Sequence, residues 1–175
     1  MSRLHLVRHA RPRVDPATPP HTWGLDPAGL PDLAALAVSG RLPDAATWYS
    51  SPEPKAVGTA RGLTDQPVTV VDELSEHRRG VHWFADPADF RAAVRRVFTE
   101  PDVAAVPEWE PLAATRERLL PAVRRILAAR PGYDIVLVGH GTAWTLLVSE
   151  LTASPPDLDA WAALRMPDVW RLDVT

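Results

Sequence analysis

The sequence predicts an α/β protein: a three-layer sandwich of helices around a mostly parallel central sheet. Three observations carry the prediction. The apolar run Leu4-His5-Leu6-Val7 ends abruptly in Arg8-His9 and breaks at Arg11-Pro12. A second run, Ile135-Val136-Leu137-Val138, also ends in a histidine, as Gly139-His140-Gly141. Between and after them, short β-branched runs alternate with segments of helical periodicity, which implies crossover helices and parallel strands. In such a sheet ligands bind just outside the carboxyl ends of the strands. Arg8, His9 and His140 would all stand there.

Composition bounds the rest. The 175 residues fit one domain, taken as 1–175, with one sizeable core. Hydrophobic content of 46% and charged content of 23% are ordinary for a soluble globular chain. A net charge of -3 gives no support for nucleic-acid or membrane binding. No apolar run approaches the roughly 18 residues of a transmembrane helix. The first strand begins within a few residues and shows no signal-peptide pattern, so a cytoplasmic location is the default expectation. Zero cysteines exclude disulfides, thiol catalysis and thiolate metal sites. The 19 prolines are scattered and read as loop punctuation and helix starts.

The elements follow in order. Residues 11–25 are polar and Pro-rich, a loop long enough to be functional and placed to wall a pocket beside His9. Trp23 in it could stack on a substrate or anchor the loop. Asp26-Pro27 starts a helix, with Asp as cap and Pro at the first helical position. Leu30, Leu33, Leu36 and Ala37 form its apolar stripe, and Gly40 ends it. A strand over 46–49 leads through Ser50-Ser51-Pro52 into a helix over 54–63. The free N–H groups of its first turn suit a phosphate, and Lys55 sits there. A third strand spans 68–71. Asp72 to Gly80 follows, with Glu76, His77, Arg78 and Arg79. His77 and His82 lack the carboxylate or Cys that would complete a familiar metal spacing. Asp86-Pro87 caps a helix to about residue 98. Residues 100–111 form a Pro-broken connection. A long helix spans 112–129, its arginines mostly a solvated face. The second histidine-bearing strand and a helix over 142–151 come next. Residues 155–163 form a loop or short helix, and the alternating run 169–174 reads as a last, edge strand.

At four ordered segments the chain resembles the histidine phosphatase superfamily, the phosphoglycerate mutase-like proteins. Arg8-His9-Ala10 matches the first motif, with Ala for the usual Gly. Ser50-Ser51-Pro52-Glu53-Pro54-Lys55-Ala56-Val57-Gly58-Thr59-Ala60 resembles the Ser-Ser-Pro-x-x-Arg-Ala-x-x-Thr-Ala segment, with Lys55 for Arg. Leu74-Ser75-Glu76 resembles the Leu-x-Glu segment that carries a proton donor. Val138-Gly139-His140-Gly141 resembles the second histidine motif. The resemblance implies a phosphoglycerate mutase-like fold and a two-step phosphoryl transfer. His9 forms a phosphohistidine, Arg8, Lys55 and His140 surround the phosphoryl oxygens, and Glu76 serves as acid and then base. Asp15 falls where many relatives carry an Asn near the phosphate, and Glu110 falls near a site-supporting Glu. Lys lacks the fork of Arg, and Arg78 and Arg79 are candidates to supply the missing charge.

The reading that follows is a metal-independent phosphomonoesterase acting on a small phosphorylated metabolite, with no cofactor. A phosphoglycerate mutase is an alternative, though mutases of the family usually carry longer insertions over the pocket. A weakly active or non-enzymatic phospho-ligand-binding protein is another, prompted by Lys55. Trp23, Trp83 and Trp109 on the loops hint at a partly apolar or flat leaving group.

Overall fold

The computed structural model describes residues 2–174. Five strands form one sheet in the order β3-β2-β4-β1-β5. They are β1 (Ser2–Arg8), β2 (Thr47–Ser50), β3 (Val68–Val70), β4 (Ile135–Gly139) and β5 (Asp168–Val174). The first four are parallel, and β5 pairs antiparallel along β1. The α/β sandwich read from the sequence is therefore the fold, and residues 169–174 do form an edge strand.

The helices are α1 (Leu30–Ala37), α2 (Pro54–Leu63), α3 (Pro87–Thr99), α4 (Leu112–Ala129), α5 (Gly141–Thr152) and α6 (Leu158–Ala163). The period-two pattern of β1 and β4 divides their side chains between two layers. Leu4, Leu6, Ile135 and Leu137 pack with Leu119, Val123, Trp144 and Leu147 of α4 and α5. Val7, Val136 and Val138 pack on the other face with Leu36 of α1 and Ala60 of α2. A third cluster, Val94, Val97, Trp109, Leu146 and Trp161, lies beneath α3 and α6.

One expectation needs correction. The stripe proposed for α1 holds for Leu33 and Leu36, which are buried, but Leu30 and Ala37 are exposed. Asp26 does cap through its side chain, accepting from the Ala28 N–H at 2.9 Å, yet residues Pro27–Gly29 form a 3₁₀ turn. The α-helix therefore begins only at Leu30 and ends at Ala37, and its buried stripe is confined to Leu33 and Leu36 between them. Among the described residues no helix is long and apolar enough to cross a membrane.

Candidate active site

β1 and β4 are adjacent and in register, with Arg8 opposite Gly139. The His9 N–H extends the ladder to the Gly139 carbonyl at 2.8 Å. Sheet geometry thus delivers His9 and His140 side by side, ring centroids 5.3 Å apart and edge to face. They open on a cleft of about 230 Å³ lined also by Arg8, Glu53, Lys55, Glu76 and Arg79.

His9 is held in one tautomer. Its Nδ1 lies 2.7 Å from the Ala10 carbonyl, which only accepts, so Nδ1 carries the proton. Nε2 then keeps its lone pair and makes no hydrogen bond among the described residues. Burial, then His140, Lys55 and Arg8, push the imidazole well below its ordinary 6.5. The ring is neutral at pH 7. The loop after it is fixed by Thr59, whose hydroxyl accepts from the Ala10 N–H at 2.8 Å and donates to the Lys55 carbonyl at 2.7 Å.

Arg8 donates through Nη1 to the Leu164 carbonyl at 2.9 Å, and its Nε is buried without an acceptor. Arg79 donates through Nη2 to the Thr142 hydroxyl at 2.7 Å. Arg78 lies on the exposed side of the same segment, its N–H donating to Glu110 Oε1 at 2.9 Å. Of the two candidates for the missing charge, Arg79 is the one in the cleft. Glu110 supports this segment, since the same oxygen accepts from Thr115 and Arg118.

Glu76 receives the N–H groups of Thr142 at 3.1 Å and Ala143 at 2.8 Å, the free amides at the start of α5. Burial alone would raise its pKa. Arg79, His140 and the backbone N–H donors outweigh that and hold it at about 2. His140 Nε2 lies 2.7 Å from Ser51 Oγ and 3.3 Å from Glu53 Oε1, and burial lowers its pKa against the pull of Glu53 and Glu76.

Lys55 lines the cleft, but its ammonium is committed. It pairs with Glu53 and donates to the Pro20 carbonyl at 2.6 Å. Its backbone N–H donates to the Trp23 carbonyl at 3.1 Å. Lys55 therefore staples the 11–25 loop to α2, and the amide at the start of α2 expected to meet a phosphate is used by that loop. Sequence reasoning does not single out Glu53 as a site residue. No spacing rule makes a residue two before a Lys its partner across a helix start.

Asp15 is also corrected. It is exposed and outside the lining of the cleft, and its carboxylate accepts from the Ala17 N–H at 3.0 Å, closing its own turn. Trp23 anchors the loop, its indole N–H reaching the Asp15 carbonyl at 3.1 Å, while its ring lines the cleft. His77 donates from Nε2 to the Glu110 carbonyl at 2.6 Å, and burial and Arg79 lower its pKa to about 4. His82 is exposed and meets Phe84 edge to face. Among the described residues no cluster of three or more His, Asp or Glu is arranged to hold a metal ion.

Comparison with known proteins bears on the family and the fold. Residues 4–170 match the family model of the histidine phosphatase superfamily (branch 1). A mycobacterial glucosyl-3-phosphoglycerate phosphatase superposes with a TM-score of 0.75 at 22% identity, over 97% of this chain and 89% of that one. Bacillus stearothermophilus YhfR gives 0.75 at 21% identity, over 100% and 92%. A phosphoserine phosphatase from Entamoeba histolytica, in complex with 3-phosphoglyceric acid, gives 0.72 at 17%, over 98% and 90%. A search of the curated proteins finds no match.

Proposed function

The chain belongs to the histidine phosphatase superfamily, and from that premise we propose that it is a phosphomonoesterase working through a phosphohistidine on a small phosphorylated metabolite. One observation carries the proposal: a neutral His9, proton fixed on Nδ1, with a free Nε2 in a cleft that also holds Arg8 and Arg79. Nε2 attacks phosphorus in line, the P–O ester bond breaks, and the phosphoryl group passes to His9. The two guanidiniums and His140 stabilise the charge on the equatorial oxygens. Glu76 protonates the departing alkoxide, then takes a proton from the water that releases phosphate. In the empty cleft Glu76 is ionised, held by Arg79. An incoming phosphate anion offsets that pull, so substrate binding itself favours the protonated acid.

Lys55 and Glu53 neutralise each other, leaving Arg8 and Arg79 against Glu76. That pairing favours a second reading, phosphate binding with low turnover. Hydrolysis of p-nitrophenyl phosphate, wild type beside His9→Ala, separates the two, with acid-labile label trapped from a radioactive substrate. The expected result is label on wild type only and a loss of roughly 10³-fold or more in His9→Ala. A folded wild type with neither turnover nor label would leave the binding reading.

A further inference from the structure

A second cavity, of about 330 Å³, adjoins the cleft. It shares Pro20, Trp23, Arg79 and Phe90 with the cleft, so the two are neighbouring compartments with Arg79 in the common wall. The rest of its lining is mostly aromatic: His82, Trp83, Phe84 and Trp109, with Ala85 and Pro87. The rings are already assembled edge to face. Phe84 and Trp109 are 5.8 Å apart, Phe84 and Phe90 5.7 Å, and Phe90 and Trp109 6.1 Å. Such a cluster presents ring faces without further reorganisation. Trp83 completes the lining at 55% exposure, an indole standing in water beside an apolar hollow.

Arg79 belongs to both compartments. On the cleft side Nη2 bonds Thr142. On the other its guanidinium carbon lies 4.8 Å from the Trp109 ring centroid and 5.1 Å from that of Phe90. Among the described residues it is the only Arg or Lys lining the aromatic compartment, and it already faces Glu76; His82, also in the lining, is exposed and sits edge to face against Phe84. A leaving group bearing its own carboxylate would find no free guanidinium or ammonium there, and its charge would be desolvated against rings.

We propose that the aromatic compartment is the leaving-group subsite, and that it takes a flat, uncharged, arene-bearing alcohol from a phosphate monoester whose phosphoryl group sits beside His9, Arg8 and Arg79. The proposal rests on the phosphatase reading above, and names its substrate class. The ester oxygen would lie near Arg79, with the arene beyond it against Phe84 and Trp83.

The test compares 2-phenylethyl phosphate with ethyl phosphate. Both release primary alkyl alcohols, so the chemistry of departure is matched and the ring is the difference. The expected result is a kcat/KM at least about tenfold higher for the phenylethyl ester, carried largely by KM, because the ring leaves water on binding. Trp83→Ala, at an exposed position on a loop, should bring that ratio down toward one. Equal kcat/KM for the two esters, or a ratio unmoved by Trp83→Ala, would overturn the subsite and leave the phosphatase reading standing. Hydrolysis of neither ester would also overturn the subsite, and the phosphatase reading would fall with it only if p-nitrophenyl phosphate stayed intact as well.

Discussion

At the residue scale the decisive feature is the use made of Lys55. The motif segment places a cation at the cleft, but Glu53 claims it and Pro20 holds it. Glu53 also faces His140 at 3.3 Å, so it is a negative charge within reach of any bound anion. Glu53→Gln keeps an acceptor for the Glu76 N–H and removes that charge. Competitive inhibition by inorganic phosphate should tighten several-fold, since unlike a surface pair this carboxylate is poorly screened. Weaker or equal inhibition would show that the Glu53–Lys55 pair matters to the site chiefly as a staple. Stability carries its own signature. His77 titrates near 4 in the fold against an ordinary 6.5. Between those values the unfolded chain takes up a proton that the folded one refuses, so stability falls as pH drops, by a contribution on the order of 3 kcal/mol. Glu76, at about 2 against an ordinary 4.5, extends the loss to lower pH. Melting temperature should be highest near neutrality and fall steadily from pH 7 to 4, and His77→Gln should flatten the upper part of that slope. A flat profile from pH 7 to 5 would contradict the buried, neutral state of His77. Residue types and order made His9, His140, Arg8 and Glu76 legible in the sequence. Asp15 and the pairing of Lys55 were not, because each depends on how one exposed loop closes on itself or on α2.

At the element scale the site is a property of strand ends. Gly139 ends β4 because Trp144 of α5 lies across it: a Cβ there would meet Trp144 Cζ2 at 2.5 Å. The same indole donates to the Val7 carbonyl at 2.8 Å, tying α5 to the last turn-free stretch of β1. Gly139→Ala should therefore cost about 1–3 kcal/mol by overpacking and reduce kcat as well, because Val7 is two residues from His9. Thermal melts and steady-state kinetics read both effects. Adding Trp144→Phe, which withdraws the clashing edge, should recover part of the melting temperature; no recovery would place the strain elsewhere. The elements themselves were almost wholly legible, since β1 and β4 centre on short, largely apolar runs that each end before a histidine and the Asp-Pro pairs mark helix starts. The start of α1 was not, because a 3₁₀ turn leaves no distinct sequence pattern where it hands over to an α-helix.

At the scale of the whole molecule, the apolar clusters are linked in a chain: the first shares α4 and α5 with the cluster beneath α3 and α6, and shares β1 and β4 with the cluster under α1 and α2. No cluster is confined to one contiguous stretch of chain. Unfolding should then be a single cooperative transition, with calorimetric and van't Hoff enthalpies in agreement. Two resolved transitions would divide the chain where composition gives no boundary. The antiparallel β5 brings the end of the chain back against β1 along seven paired residues. The registered pairing of β1 and β4 has a broader meaning. The gap between His9 and His140 is fixed by the roughly 4.8 Å repeat between neighbouring strands, as a ruler is fixed by its graduations. The loops that border the cleft do not set it. Segments 11–25 and 80–86 could be exchanged for foreign ones, and the two histidines would keep their spacing. The sheet thus serves as a chassis on which selectivity can be rebuilt without retuning the chemistry.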